Sequence, residues 1–160
     1  MNRDGEAPHS AIGLVAQWNF NEASGSVASS GGSCGSACNG TLVNFANTTG
    51  QDKVPRSGWT YDNRRWGNGA LMFDGVDDHV VVSHNPNLNF SGSISIESWF
   101  KLLDFSPNNY NHILDKDSSY GISIYQGKLC GFISSVGWTC ASEALDLNKW
   151  YHATLTYDGE

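Results

Sequence analysis

The chain has 160 residues, the size of one domain and enough to bury a core without metals or staples. Only 16% of the residues are charged while 12% are aromatic and 18 are glycine, which excludes a disordered chain and points to short strands joined by turns. The net charge of −7, with no basic run, argues against nucleic acid and against anionic lipid, and no apolar stretch approaches the ~20 residues that cross a bilayer.

Residues 1–10 read as a disordered polar tail, without the apolar segment of a signal peptide. Residues 11–20 (AIGLVAQWNF) hold β-prone apolar side chains and predict a first strand. Residues 21–40 read as a Gly/Ser loop pinned by Cys34 and Cys38, and 41–45 as a short strand. Residues 46–66 are polar and irregular, with Trp59, Tyr61 and Trp66 set among them. Two apolar runs, 69–73 and 79–83, flank Asp74-Gly75-Val76-Asp77-Asp78, a strong signal for a hairpin or a tight turn. Gly75 is expected at positive φ, and the aspartates are expected to accept backbone N–H groups.

Residues 93–102 alternate, with Ile94, Ile96, Ser98 and Phe100 on one face and Ser95, Glu97, Trp99 and Lys101 on the other. Further strands are predicted at 112–114, 120–125, 128–133, 138–141 and 150–157. No long amphipathic helix and no internal repeat are present, so the predicted class is an all-β, antiparallel two-sheet sandwich.

The four cysteines are read as disulfides. Strands over 128–133 and 137–142 place Cys130 opposite Cys140, close to the separation a disulfide needs, and Cys34 and Cys38 are near enough in sequence to close a small loop. Three pairings are possible, of which 34–38 with 130–140 is preferred, and a zinc site is the rival. Disulfides in turn suggest an exported chain, extracellular or at the cell surface, whose export signal lies outside these residues.

Four motifs in order resemble the laminin-G-like jelly-roll family of the concanavalin A-like lectin/glucanase superfamily. They are Gly13-Leu14-Val15-Ala16-Gln17-Trp18-Asn19-Phe20-Asn21-Glu22, Gly67-Asn68-Gly69-Ala70-Leu71-Met72-Phe73-Asp74-Gly75-Val76-Asp77-Asp78, Ser93-Ile94-Ser95-Ile96-Glu97-Ser98-Trp99-Phe100, and Lys149-Trp150-Tyr151-His152-Ala153-Thr154-Leu155-Thr156-Tyr157-Asp158-Gly159. The resemblance implies a sandwich over residues 11–160 that lacks the family's last strands, within a larger multidomain chain. It also implies calcium as a possible cofactor, carried over to Asp117 first and Asp115 second, in the turn sequence Leu114-Asp115-Lys116-Asp117.

For function, the expectation is a non-catalytic binding module whose partner is a glycan or an extracellular protein. Loop aromatics are the natural platforms for sugar rings, and Tyr110, Trp138 and Trp59, with Asn109 as a polar neighbour, are the candidate contacts. A structural spacer without small ligand is the first alternative. A glycoside hydrolase is the second, and it needs two carboxylates facing one another across ~5–9.5 Å. Glu97 stands alone on its strand, and Glu143 and Asp146 are expected in a loop, so catalysis is not predicted.

Overall fold

The computed structural model describes residues 13–52, 57–61, 64–105 and 110–160; the tail of residues 1–10 lies outside them. The chain divides into two compact units, Met1–Asn89 and Phe90–Glu160.

In the first unit the strands are β1 (Gln17–Trp18), β2 (Val27–Ala28), β3 (Ser30–Gly31), β4 (Gly40–Val43), β5 (Asn47–Asp52), β6 (Gly58–Thr60), β7 (Ala70–Met72) and β8 (His79–Val82). They form three small sheets: β1-β3, β2-β4-β8 and β5-β6-β7. Every pairing is antiparallel except β5 with β6. The core is Trp59 and Ala28, both fully buried, with Leu42, and Trp18, Phe20, Phe45, Leu71 and Val80 pack against it.

Most departures from the sequence reading fall in this unit. Of the strand expected over 11–20, the described residues from 13 on keep β1 alone, because the carbonyls of Leu14 and Val15 accept instead from Ser33 and Cys34 N–H, at 3.0 and 2.9 Å. The expected loop 21–40 contains β2, β3 and a 3-10 turn over Gly35–Cys38. The Trp18 indole N–H donates to the Cys38 carbonyl at 2.9 Å, tying that turn to β1. Residues 46–66 are not irregular throughout; they hold β5 and β6, whose polar sequences give no alternation to read.

The hairpin expected around Asp74-Gly75 does not form. Its flanking runs become β7, which pairs with β6, and β8, which pairs with β4. The tight turn between them does form, with Gly75 at φ 77°.

The second unit is more regular. Its strands are β9 (Ile94–Lys101), β10 (Asn111–Lys116), β11 (Tyr120–Tyr125), β12 (Lys128–Ile133), β13 (Gly137–Ala144) and β14 (Trp150–Tyr157). β10 to β13 form a four-stranded antiparallel sheet in chain order, and β9 pairs antiparallel with β14 from Trp150↔Lys101 to Tyr157↔Ile94.

The two sheets of this unit share one core. Ile94, Ile96 and Ala153 meet Tyr120 and Ile122, and Phe100, Leu129, Ile133, Leu155 and Tyr157 close around them. Strict alternation makes this possible, because each strand turns every second side chain inward. Each fully buried aliphatic side chain contributes about 1.5–3 kcal/mol. The packing is close at Gly131, where a Cβ would stand 2.7 Å from Leu155 Cδ1.

Candidate ligand-binding face

The outer face of the β10–β13 sheet is built by register. His112 lies opposite Ser123, Ser123 opposite Cys130, and Cys130 opposite Cys140. One step along, Gly121 pairs with Phe132 and Phe132 with Trp138. Residues two apart on a strand share a face, so Tyr125, Phe132 and Trp138 join this row on the side away from the core. Cys130 and Cys140 form one disulfide and Cys34 and Cys38 the other, with Cα separations of 4.0 and 5.7 Å. Both preferred pairings hold.

The centre of the face is made of small side chains. Ser123 and Cys130 are fully buried, and the Ser123 hydroxyl shares a hydrogen bond of 2.8 Å with His112 Nδ1. Large rings stand over this floor. Tyr110, just before β10, stacks on Tyr125 with centroids 4.4 Å apart and on Trp138 at 4.8 Å, inclined by 18° and 27°. Tyr110 also lies parallel to His112 at 6.0 Å, and Trp138 reaches Phe132 at 5.1 Å. Such pairs add about 0.5–1.5 kcal/mol each beyond the area they bury. Yet Tyr110 and Trp138 remain 40% and 42% exposed. A connected row of half-exposed rings is more than the core requires.

Of the residues expected to contact a ligand, the fold therefore brings Tyr110 and Trp138 together. Asn109 lies outside the described residues. Trp59 is corrected: it is fully buried in the first unit, and its indole N–H donates to the Gly25 carbonyl at 2.8 Å, so no ligand reaches it. Its place in a polar segment without alternation concealed that burial. Tyr125 and His112 were not singled out from the sequence. The signal for them was the strand alternation, which puts both on the Tyr110 face.

Asp115 and Asp117, to which the resemblance carries a calcium site, lie on β10 and in the turn that follows it. Asp115 is exposed on β10, and Asp117 follows in the turn, accepting from the Ser118 hydroxyl at 3.4 Å. Among the described residues no third carboxylate, histidine or cysteine joins them. The carboxylates that do gather are Asp74, Asp77 and Asp78, each offering an oxygen within 4.8 Å of the others. They serve the turn: Asp78 accepts from Asp74 N–H and Asp74 from Val76 N–H, both at 2.8 Å, while Asp77 accepts from the Asn44 amide at 2.9 Å.

On the outer face of β9 and β14, Glu97 lies 3.5 Å from His152 Nε2, and His152 stacks on Trp99 at 4.8 Å. Thr154 is Glu97's register partner, and among the paired residues of β9 and β14 no second carboxylate shares the face. Glu143 falls on β13 rather than in a loop. Asp146 hydrogen-bonds Lys149 Nζ at 2.6 Å, which raises the lysine pKa.

The described residues form an all-β protein whose strand pairings are antiparallel apart from β5 with β6. Residues 73–160 match a laminin-G-type family model described as the concanavalin A-like lectin/glucanases superfamily, and the chain belongs to that superfamily. The third and fourth motifs lie inside the matched residues and the first outside them. No curated protein and no solved structure matches the chain.

Proposed function

We propose that the chain is a non-catalytic binding module of a secreted or cell-surface protein, and that it holds a carbohydrate on the outer face of β10–β13. The observation that carries this reading is the stacked contact of Tyr110 and Trp138, both well exposed, over a floor of small side chains. A pyranose ring presents an apolar C–H face that packs on aromatic carbon, while the tyrosine hydroxyls, the indole N–H and the His112 ring supply polar partners at the rim.

Secretion is supported by the two disulfides, which persist in oxidising compartments, and no helix among the described residues is long and apolar enough to cross a membrane. A non-catalytic role is supported by the lone carboxylate on the Glu97 face, since hydrolysis of a glycosidic bond needs two.

One observation favours an extracellular protein as the ligand instead. Tyr110 is stacked on both Tyr125 and Trp138, so the rings cover part of one another's faces, and clustered half-exposed aromatics are typical anchors at protein interfaces. A glycan array separates the readings. The expected result is a saturable signal for one glycan class that falls at least ~10-fold in Trp138→Ala and in Tyr110→Ala. A silent array overturns the carbohydrate reading, and a signal indifferent to both substitutions moves it off this face.

A further inference from the structure

The two disulfides differ in what a reagent can reach. Cys34 and Cys38 are both buried, and the Trp18 indole N–H, donating to the Cys38 carbonyl at 2.9 Å, lies against their turn. Cys130 is buried as well, but its partner Cys140 is exposed on β13. β13 is the outermost strand of its sheet, and no strand among the described residues pairs with its free side. In thiol–disulfide exchange a thiolate attacks one sulfur in line with the bond that breaks, so the rate depends on access to a sulfur from the side away from its partner. The Cys130–Cys140 bond offers that approach at Cys140, from the free edge of β13. The Cys34–Cys38 bond has a buried residue at both ends.

The accessible disulfide is also placed where its loss matters. Cys140 and Trp138 are two apart on β13 and share its outer face. Trp138 stacks on Tyr110, which precedes β10, the strand at the opposite edge of the sheet. That contact joins the two edges, and it holds only while β13 keeps its place. The pairing of β13 with β12 is regular from Gly137 to Cys140 and shifts beyond it, between Cys130 and Lys128. The disulfide stands where the regular pairing ends, and every β13 residue past it is exposed.

We propose that Cys130–Cys140 is a redox-sensitive latch on the aromatic face: a dithiol reductant opens it while Cys34–Cys38 stays closed, and opening uncouples Trp138 from Tyr110. The regulatory meaning rests on that face being the binding surface of the module. One thiolate of the dithiol attacks Cys140 Sγ and forms a mixed disulfide, and Cys130 leaves as a thiolate that takes a proton from water. The second thiolate of the reductant then attacks its own sulfur in the mixed disulfide and releases Cys140, which is protonated in turn. The reductant ends as a cyclic disulfide, oxidised by two electrons, and the protein pair ends as two thiols.

The test uses the full folded chain. It is incubated with graded dithiothreitol without denaturant and quenched with iodoacetamide, and each cysteine pair is scored by mass spectrometry. In parallel, ¹⁵N spectra follow the Trp138 indole, assigned with Trp138→Phe, and the Tyr110 amide. Cys130 and Cys140 are expected to become alkylated at least about 10-fold faster than Cys34 and Cys38. The Trp138 and Tyr110 signals should move in the same step, while the amides of the core residues Ile96, Ile122 and Ala153 stay in place. Cys130→Ser/Cys140→Ser should reproduce the reduced positions and ignore the reductant, and the wild-type titration decides the matter without it if that variant does not fold. Equal rates for the two pairs, earlier opening of Cys34–Cys38, or no opening of Cys130–Cys140 at concentrations that reduce the denatured chain would each overturn the proposal. Opening that leaves Trp138 and Tyr110 unmoved overturns it as well, and so does collapse of the whole spectrum in that step, because the bond is then a staple of the fold. None of these readouts needs a ligand, so a silent glycan array leaves them unchanged and the two readings fail separately.

Discussion

Tyr120 shows how burial and chemistry meet at one residue. It is only 7% exposed, at the start of β11, in the core shared by the two sheets of the second unit. Burial disfavours the phenolate and pushes its pKa up from 10.0 to about 12. The folded state therefore keeps its proton where the unfolded chain has lost it. Tyr120's contribution to stability is complete below pH 10 and falls as pH rises through about 12. Urea unfolding of the wild type and of Tyr120→Phe across this range should show an extra loss of about 2 kcal/mol in the wild type alone. Parallel curves would mean that the hydroxyl is solvated. Trp138 is the opposite case. It is large but 42% exposed, so its replacement is expected to affect binding more than folding.

At the scale of elements, β13 is the weakly held strand of its sheet. It lies at the edge, all of it past Gly137 is exposed, and its register with β12 shifts between Lys128 and Cys130. The Cys130–Cys140 disulfide fastens it. Closing so short a loop in the unfolded chain is worth about 3 kcal/mol. The Cys130→Ser/Cys140→Ser double variant should unfold at correspondingly lower urea, with hydrogen exchange accelerated first in β13. Uniform acceleration across the sheet would show that the strand is held by packing instead. Between layers, Gly131→Ala forces a Cβ to within 2.7 Å of Leu155 Cδ1. The cost expected from overpacking is about 1–3 kcal/mol, recovered in part by Gly131→Ala with Leu155→Val. Full additivity of the two changes would argue against that contact.

For the whole molecule, the two disulfides use all four cysteines and leave none free. Protein made in an oxidising compartment and denatured without reductant should give no thiol signal, and peptide mapping should find the 34–38 and 130–140 links. Two or more free thiols would remove the physical support for an exported chain. The matched family region, residues 73–160, starts inside the first unit and runs through all of the second. The regular sheets of the second unit therefore lie wholly within it.

The second unit was legible in the sequence for a physical reason. Its long strands β9 and β14 alternate apolar and polar side chains, and β11 and β12 are short β-prone runs joined by a Gln-Gly turn, so all four fall within a residue of where the sequence puts them. The register that pairs Cys130 with Cys140 follows from the same pattern. The first unit was far less legible. Strands of two to four residues carry too little pattern to be seen, and β5 is polar throughout. Their existence depends on partners distant in sequence, such as β8 for β4. The sequence by itself thus determined the β class and the inward faces of the long strands, pointed to the superfamily through its motifs and favoured the disulfide pairing found, because these rest on local patterns and short separations. Only the tertiary structure decided that Trp59 is core, that Asp74-Gly75 joins two different sheets, and that Tyr110 meets Trp138. Each of these depends on which distant segments the chain brings together, and no local pattern encodes that.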